Sequence, residues 1–265
     1  MKPISSAVSR ALQSGIDFLL EKRVRPEQTE SGGSRFARWC DFDLYVGASD
    51  EWVTAYTCCA LVSTGDEAAY SAANEGCSFL VARTRGRDRG FGYNGKTTRD
   101  ADSTVWACRL ASALNAQDQC FASALEFLQE CRQTDGGVAT YPTVSAVRRA
   151  IHVSSEMPVH AWARSHTCVT AAAGDLPGFT RDQQLRRYLR DHQRPAGEWR
   201  GYWWADSEYA TALAIQCLLH EPTGDDHVAI HRAVLWLRET AVRRSAFTVA
   251  LRLLALSLAG ETAPA

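Results

Sequence analysis

Gln184-Leu185-Arg186-Arg187-Tyr188-Leu189-Arg190-Asp191, followed by Gly197-Glu198-Trp199 and then by Thr211-Ala212-Leu213-Ala214, is the stretch that decides the fold. The first piece carries heavy charge on one side of a helical pattern, which reads as a helix with one face in solvent. The second piece is a turn. Glycine supplies positive φ at no steric cost and so ends the helix, and the aromatic ring covers the helix end. The third piece is a helix with small residues on one face, which lets neighbouring backbones approach closely. Together they predict a hairpin of one half-exposed and one buried helix.

Outward from this stretch the pattern repeats. In chain order the pairs Phe18-Leu19, Phe79-Leu80, Phe127-Leu128, Tyr188-Leu189 and Trp236-Leu237 stand 61, 48, 61 and 48 residues apart. Such spacing points to one repeated unit. Turns of the same kind follow four of the pairs, at Ser31-Gly32-Gly33, Gly90-Phe91-Gly92-Tyr93, Asp135-Gly136-Gly137 and Gly197-Glu198-Trp199. The buried helices align on Thr54, Thr104, Thr167 and Thr211, with Thr57, Ala107, Thr170 and Ala214 three residues on.

Five hairpins follow, about Ser5 to Ser63, Glu67 to Leu114, Asp118 to Ala173, Thr180 to Leu219 and His227 to Ala259. Stacked side by side they predict an all-α fold, an α/α toroid with inner helices inside a ring of outer ones, forming a single domain over residues 1–265. Two connections are long. Thr143 to Pro158 contains a short helical pattern at Val147 to Ile151, placed over one mouth of the ring, and Glu30 to Gly47 is rich in Gly and aromatic groups.

Composition narrows the function classes. Net charge is −1, and 29 basic residues balance 30 acidic ones, so no general attraction to nucleic acid or anionic lipid is implied. Lys2, Lys22 and Lys96 are the only lysines; scattered arginine in their place fits a GC-rich genome better than a phosphate site. The nine cysteines lie mostly inside apolar helical stretches, with no CxxC pair, and read as buried free thiols of a reducing cytoplasm. Ser6 to Lys22 is amphipathic and charged, so it is neither a secretory segment nor a membrane span, and no other stretch is long and apolar enough for one.

Asp100-Ala101-Asp102-Ser103-Thr104 opens the second inner helix, and Gln193 to Trp199 keeps a loose Gln-Trp pair. With the turn-plus-aromatic pattern, these residues resemble the repeats of squalene-hopene cyclases, class II terpene cyclases and protein prenyltransferase β subunits, over nearly the entire chain. In class II cyclases a DxDD motif at this helix start supplies the carboxylic acid that protonates an alkene or epoxide. The resemblance implies Asp102 as that acid and Asp100 as its neighbouring carboxylate, with Ser103 where the motif has Asp. Such an acid must stay protonated near neutral pH, which burial and nearby negative charge both favour. A histidine partner to the acid, also a family feature, implies His166. The structural alternative is that acids before inner helices, Asp50-Glu51 and Asp206-Ser207-Glu208 among them, cap free N–H groups.

Carbocation chemistry wants aromatic faces around a dry cavity, because a ring quadrupole stabilises positive charge without offering a nucleophile. Trp52, Trp106, Trp162, Trp203, Trp204 and Tyr209 fall at or near inner-helix starts and are the candidate substrate-binding residues, with Asp206 and Glu208 on the same rim. Core packing is the ordinary alternative for each ring. The zinc site of protein prenyltransferases needs converging Asp, Cys and His; Asp102 and Cys108 lack the required spacing, and Cys58 and Cys59 point about 100° apart. With no P-loop, dinucleotide fingerprint or DDxxD magnesium motif either, no metal and no cofactor is expected.

Three readings follow: a terpene cyclase-like enzyme that protonates an isoprenoid or polyene-like substrate; a non-catalytic ring that binds a prenyl or lipid chain; and a partner subunit of a biosynthetic enzyme, with Tyr202-Trp203-Trp204 as its contact patch. The first calls for a homodimer, a second toroid subunit, or a reaction inside a single ring.

Overall fold

The computed structural model describes residues 6–25, 36–84, 89–151, 154–241 and 245–260. Ser31, Gly32 and Gly33, where the first turn is expected, lie outside them. The expected hairpins appear as α1 (Ser6–Glu21) with α2 (Glu51–Val62), α3 (Glu67–Arg83) with α4 (Ala101–Leu114), α5 (Gln119–Glu130) with α7 (Thr167–Ala173), α8 (Gln183–Asp191) with α9 (Glu208–Leu218), and α10 (Gly224–Glu239) with α11 (Ala246–Leu258). The short helix expected within 147–151 is α6 (Val144–Ile151), followed by a 3-10 turn at His160–Ala163. The connection before α2 also holds an antiparallel pair, β1 (Asp43–Leu44) and β2 (Gly47–Ala48). The chain divides into two compact units, Met1–Phe127 and Leu128–Ala265.

In the first unit α2 packs against both α3 and α4. Ala55, Cys58 and Leu61 of α2 and Ala101, Val105, Ala107 and Leu110 of α4 are wholly buried. Small residues permit this approach: a Cβ added to Gly76 of α3 would stand 2.3 Å from Cys58 Sγ. In the second unit α9 packs against α7, α8, α10 and α11. The same device recurs there, since a Cβ on Gly174, just after α7, would stand 2.3 Å from Cys217 Sγ on α9.

The recurring threonine has a physical cause. Its side chain sits inside the buried helix and satisfies the backbone of the preceding turn, whose N–H would otherwise be buried without a partner. Thr54 Oγ1 accepts from Trp39 N–H at 2.9 Å, Thr104 from Phe91 at 2.9 Å and Thr211 from Trp199 at 3.0 Å. In the third repeat the acceptor is Thr170, at 2.8 Å from Val138 N. The alignment on Thr167 is therefore out by one helical turn; Thr167 donates instead to the Arg200 carbonyl.

The Gln-Trp pair is also structural. Gln193 Nε2 donates to the Gly197 and Ala229 carbonyls at 2.7 and 2.8 Å, and the Trp199 indole donates to Leu189 O at 2.6 Å. Trp39 repeats that bond to Leu19 O at 2.7 Å in the first unit. Gly197 takes φ +112° with no room for a Cβ, which would meet Arg232 O at 2.4 Å. On α8 the charge is not all solvated. Arg186 is 2% exposed, donates to the Cys217, Leu218 and His220 carbonyls at the end of α9, and pairs with buried Asp226 at 2.7 Å.

All nine cysteines are free, and six of them are buried. No described helix is long and apolar enough to cross a membrane.

Candidate functional site

In the first unit the site is built from one face of α4 and one face of α2. Asp100 stands before α4 with extended backbone and receives both the N–H and the hydroxyl of Ser103, at 2.7 and 3.0 Å. Asp102, in the first turn, is half-buried, and its Oδ1 is buried without a hydrogen-bond partner among the described residues. Burial pushes the Asp102 carboxyl up to about 7, against the hydrogen bond of the Trp52 indole. Burial likewise raises Asp100, to about 8, and the charges of Asp102 and Glu51 add to it, while the bonds from Ser103 act the other way. Glu51 belongs to this cluster because its Oε2 accepts the N–H of Gly92 at 2.9 Å, which holds a third carboxylate at the start of α2.

Aromatic rings continue from the acid. Trp52 and Tyr56, one turn apart on α2, stack at 5.0 Å with planes 10° apart. Tyr56 meets Trp106, one turn beyond Asp102 on α4, edge to face at 4.5 Å. Arg109 lies over the other end of this row, its guanidinium 5.0 Å from the Trp106 ring. Cys59 donates its thiol to the Trp106 carbonyl at 3.8 Å. Asp102, Trp52 and Trp106, all singled out in the sequence, are thus brought together. Tyr56 was missed, although its place four residues after Trp52 puts both on one helix face.

The second unit gathers the remaining candidates in a different way. Ser165, His166, Tyr188, Arg200, Tyr202 and Trp203 are among the residues lining an open cleft of about 640 Å³. His166 stacks on Tyr202 at 4.0 Å. Its Nε2 faces the Ala161 carbonyl at 2.9 Å and its Nδ1 faces Thr140 Oγ1 at 2.7 Å. A carbonyl only accepts, so Nε2 carries the hydrogen of the neutral ring and Nδ1 accepts from Thr140. Thr140 in turn accepts from the Trp203 indole at 2.8 Å. Burial lowers the His166 pKa to about 4, opposed by the bond to Ala161. Both ring nitrogens are therefore occupied by groups of this unit.

Trp162 packs on Trp203 at 5.5 Å and on Tyr141 at 5.9 Å. Trp204 is stacked on Tyr209 at 4.3 Å and on Phe247 at 5.1 Å. Asp206 accepts from the Thr248 hydroxyl at 2.9 Å, and Glu208 pairs with buried Arg252 at 2.7 Å. Asp206 and Glu208 are thus tied to neighbours on α11, and Tyr209 is buried in the core. Among the described residues no group of three His, Cys, Asp or Glu side chains is arranged to hold a metal ion.

Helical hairpins tied by threonine and tryptophan side chains, with a half-buried aspartate opening an aromatic row, define the class of cyclase-type repeat folds. Comparison with solved structures narrows the class. The type II terpene cyclase MstE from Scytonema, solved in complex with its substrate geranylgeranyl dihydroxybenzoate, matches with a TM-score of 0.81 and 31% identity over 94% of this chain and 72% of its own. A protein from Actinoplanes matches with a TM-score of 0.78 and 34% identity, covering 94% of this chain and 74% of its own. The ent-copalyl diphosphate synthase from Streptomyces platensis, at 18% identity and a TM-score of 0.58 over 79% of this chain and 40% of its own, shares the fold. No family model matches the chain, and no curated protein does. The chain belongs to the type II terpene cyclases. The all-α fold expected from the repeats and the terpene cyclase-like function are borne out by these likenesses.

Proposed function

We propose that the protein cyclises a prenylated substrate, that Asp102 is the acid that starts the reaction, and that Trp52, Tyr56 and Trp106 form the wall along which the cation travels. The observation that carries this reading is the buried, unpartnered Oδ1 of Asp102 at the head of a continuous aromatic row. Burial raises both carboxyls into the neutral range, so the pair keeps a proton near pH 7. We assign the delivered proton to Asp102, whose Oδ1 is unpartnered, because both bonds from Ser103 hold Asp100 as an acceptor. Asp102 gives that proton to one carbon of an alkene. The π pair forms the new C–H bond, the other alkene carbon becomes a cation, and a second alkene of the same chain attacks it to close a ring. The cation this leaves is discharged when an adjacent C–H bond gives its proton to water and its electron pair to the product alkene. The carboxylate left behind is stabilised by the Trp52 N–H, and the ring faces stabilise the cation by about 0.5–2 kcal/mol each.

MstE binds geranylgeranyl dihydroxybenzoate, and a prenylated aromatic acid of that kind is the substrate we assign first. His166 is left out of the acid's machinery because its two nitrogens serve Ala161 and Thr140; Asp206 and Glu208 are left out because Thr248 and Arg252 hold them. One solved enzyme fold covers 94% of the chain, which supports reading residues 1–265 as a single domain. Nine free thiols support a cytoplasmic setting. A homodimer stays part of the proposal and is read by light scattering of the purified protein. Incubation with geranylgeranyl dihydroxybenzoate, geranylgeranyl diphosphate and a neutral polyprene, with Asp102→Asn as control, tests the function. A cyclised product from at least one substrate, absent with Asp102→Asn, is the expected result; ligand uptake without product from wild type would favour a binding protein instead.

A further inference from the structure

The face of α4 that begins with Asp102 does not end in apolar residues. Trp106 follows four residues on and Arg109 seven residues on, so all three lie on one face, with Arg109 about 10 Å along the axis from the acid. The face of α2 opposite repeats the spacing with Trp52, Tyr56 and Cys59, so the two helices meet in rungs. Trp52 reaches Asp102, Tyr56 reaches Trp106, and Cys59 bonds the Trp106 carbonyl beside the arginine. The guanidinium is half-buried, lies on the Trp106 ring, and its positive charge acts on both the Tyr56 hydroxyl and the Cys59 thiol. The guanidinium thus sits on the Trp106 ring at the end of the row, with its charge felt by Tyr56 and Cys59 of α2.

From this geometry we propose that Arg109 anchors an anionic oxygen-bearing head group, so that the substrate lies along the Trp52–Tyr56–Trp106 row with its reacting alkene at Asp102 and its charged end at the guanidinium. The inference rests on the cyclase reading and refines its substrate class: a prenylated carboxylic acid or a prenyl diphosphate in preference to a neutral polyprene. A guanidinium is the side chain best shaped to hold either anion, since its planar N–H groups pair with two oxygens at once. The aromatic rings between the two ends offer no nucleophile, which leaves the prenyl chain to react with itself.

The test is a specificity ratio. Wild type, Arg109→Met and Arg109→Lys are assayed with geranylgeranyl dihydroxybenzoate, geranylgeranyl diphosphate and geranylgeraniol. The ratio of kcat/KM for the anionic substrate to that for geranylgeraniol is expected to fall at least tenfold in Arg109→Met, mainly through KM, and to recover in part in Arg109→Lys. The first two substrates distinguish a carboxylate from a diphosphate. A fall shared equally by geranylgeraniol would mean that Arg109 only supports Trp106, and would overturn the proposal. If no substrate is turned over by any variant, the cyclase reading fails by itself. The same ratio read from dissociation constants, by quenching of tryptophan fluorescence, then still decides the role of Arg109.

Discussion

The Asp100 carboxylate holds Ser103 twice, by its backbone N–H at 2.7 Å and by its hydroxyl at 3.0 Å. Ser103 stands where a class II motif has its last aspartate, and the hydroxyl gives that position a role: it fixes the first carboxylate as an acceptor. Asp100 is thereby the cap of α4, and its carboxyl feels the charges of Asp102 and Glu51 beside it.

A pH dependence follows. The acid must be protonated to work, and the Asp102 carboxyl is raised to about 7 by burial. The rate kcat/KM is expected to be level below about pH 7 and to fall about tenfold per unit above it. Asp100→Asn leaves the burial of Asp102 in place, so the midpoint is expected to stay near pH 7. A profile that rises with pH through 7 would place a base, not an acid, at this helix start.

The register of the third repeat is checked by two substitutions. Thr170→Val leaves the buried N–H of Val138 without its acceptor, and the expected loss of stability is about 1–3 kcal/mol. Thr167→Val leaves that bond intact and costs less. Urea unfolding of both variants decides the matter, since the reverse order of stabilities would restore the alignment on Thr167.

Arg186 and Asp226 form a buried pair in the second unit. Arg186→Met leaves Arg190 and Thr223 to hold the carboxylate and removes the donor to three carbonyls at the end of α9. It is therefore expected to destabilise the protein by less than the roughly 3–5 kcal/mol of an unpaired buried charge. Burial alone would raise the Asp226 pKa, but hydrogen bonds from Arg186, Thr223 and Arg190 outweigh it and bring the value down to about 2. A depressed carboxyl stabilises the fold above the ordinary carboxylate range, and this stabilisation is lost as pH falls from about 4 through about 2. The urea midpoint of wild type should drop across that window, and the drop should shrink in Arg186→Met.

How far the sequence reveals this protein depends on distance along the chain. The hairpins were legible because the aromatic-Leu pairs and glycines such as Gly197 act within a few residues of one another. Asp102 was legible for the same reason, as part of a local motif. The slip between Thr167 and Thr170 arose because the two threonines sit one helical turn apart and periodicity alone does not separate them. The ties of Glu208 to Arg252 and of Arg186 to Asp226 join residues about 40 positions apart, so they left no local trace. His166 drew attention for its place at a helix start, whereas its function as a hub between Ala161 and Thr140 depends on a tertiary contact. Tyr56 belongs to no local motif, and only its place four residues after Trp52 marks it as sharing that helix face. The two-residue strands of the first unit are too short to show alternation.

The most direct test of Asp102 as the initiating acid is a cyclisation run in deuterated water with geranylgeranyl dihydroxybenzoate and analysed by mass spectrometry. Wild type should yield a cyclised product carrying one solvent-derived deuterium on the carbon that was protonated, while Asp102→Asn binds the same substrate and returns it unchanged. Cyclised, singly deuterated product from Asp102→Asn at the wild-type rate would contradict the account.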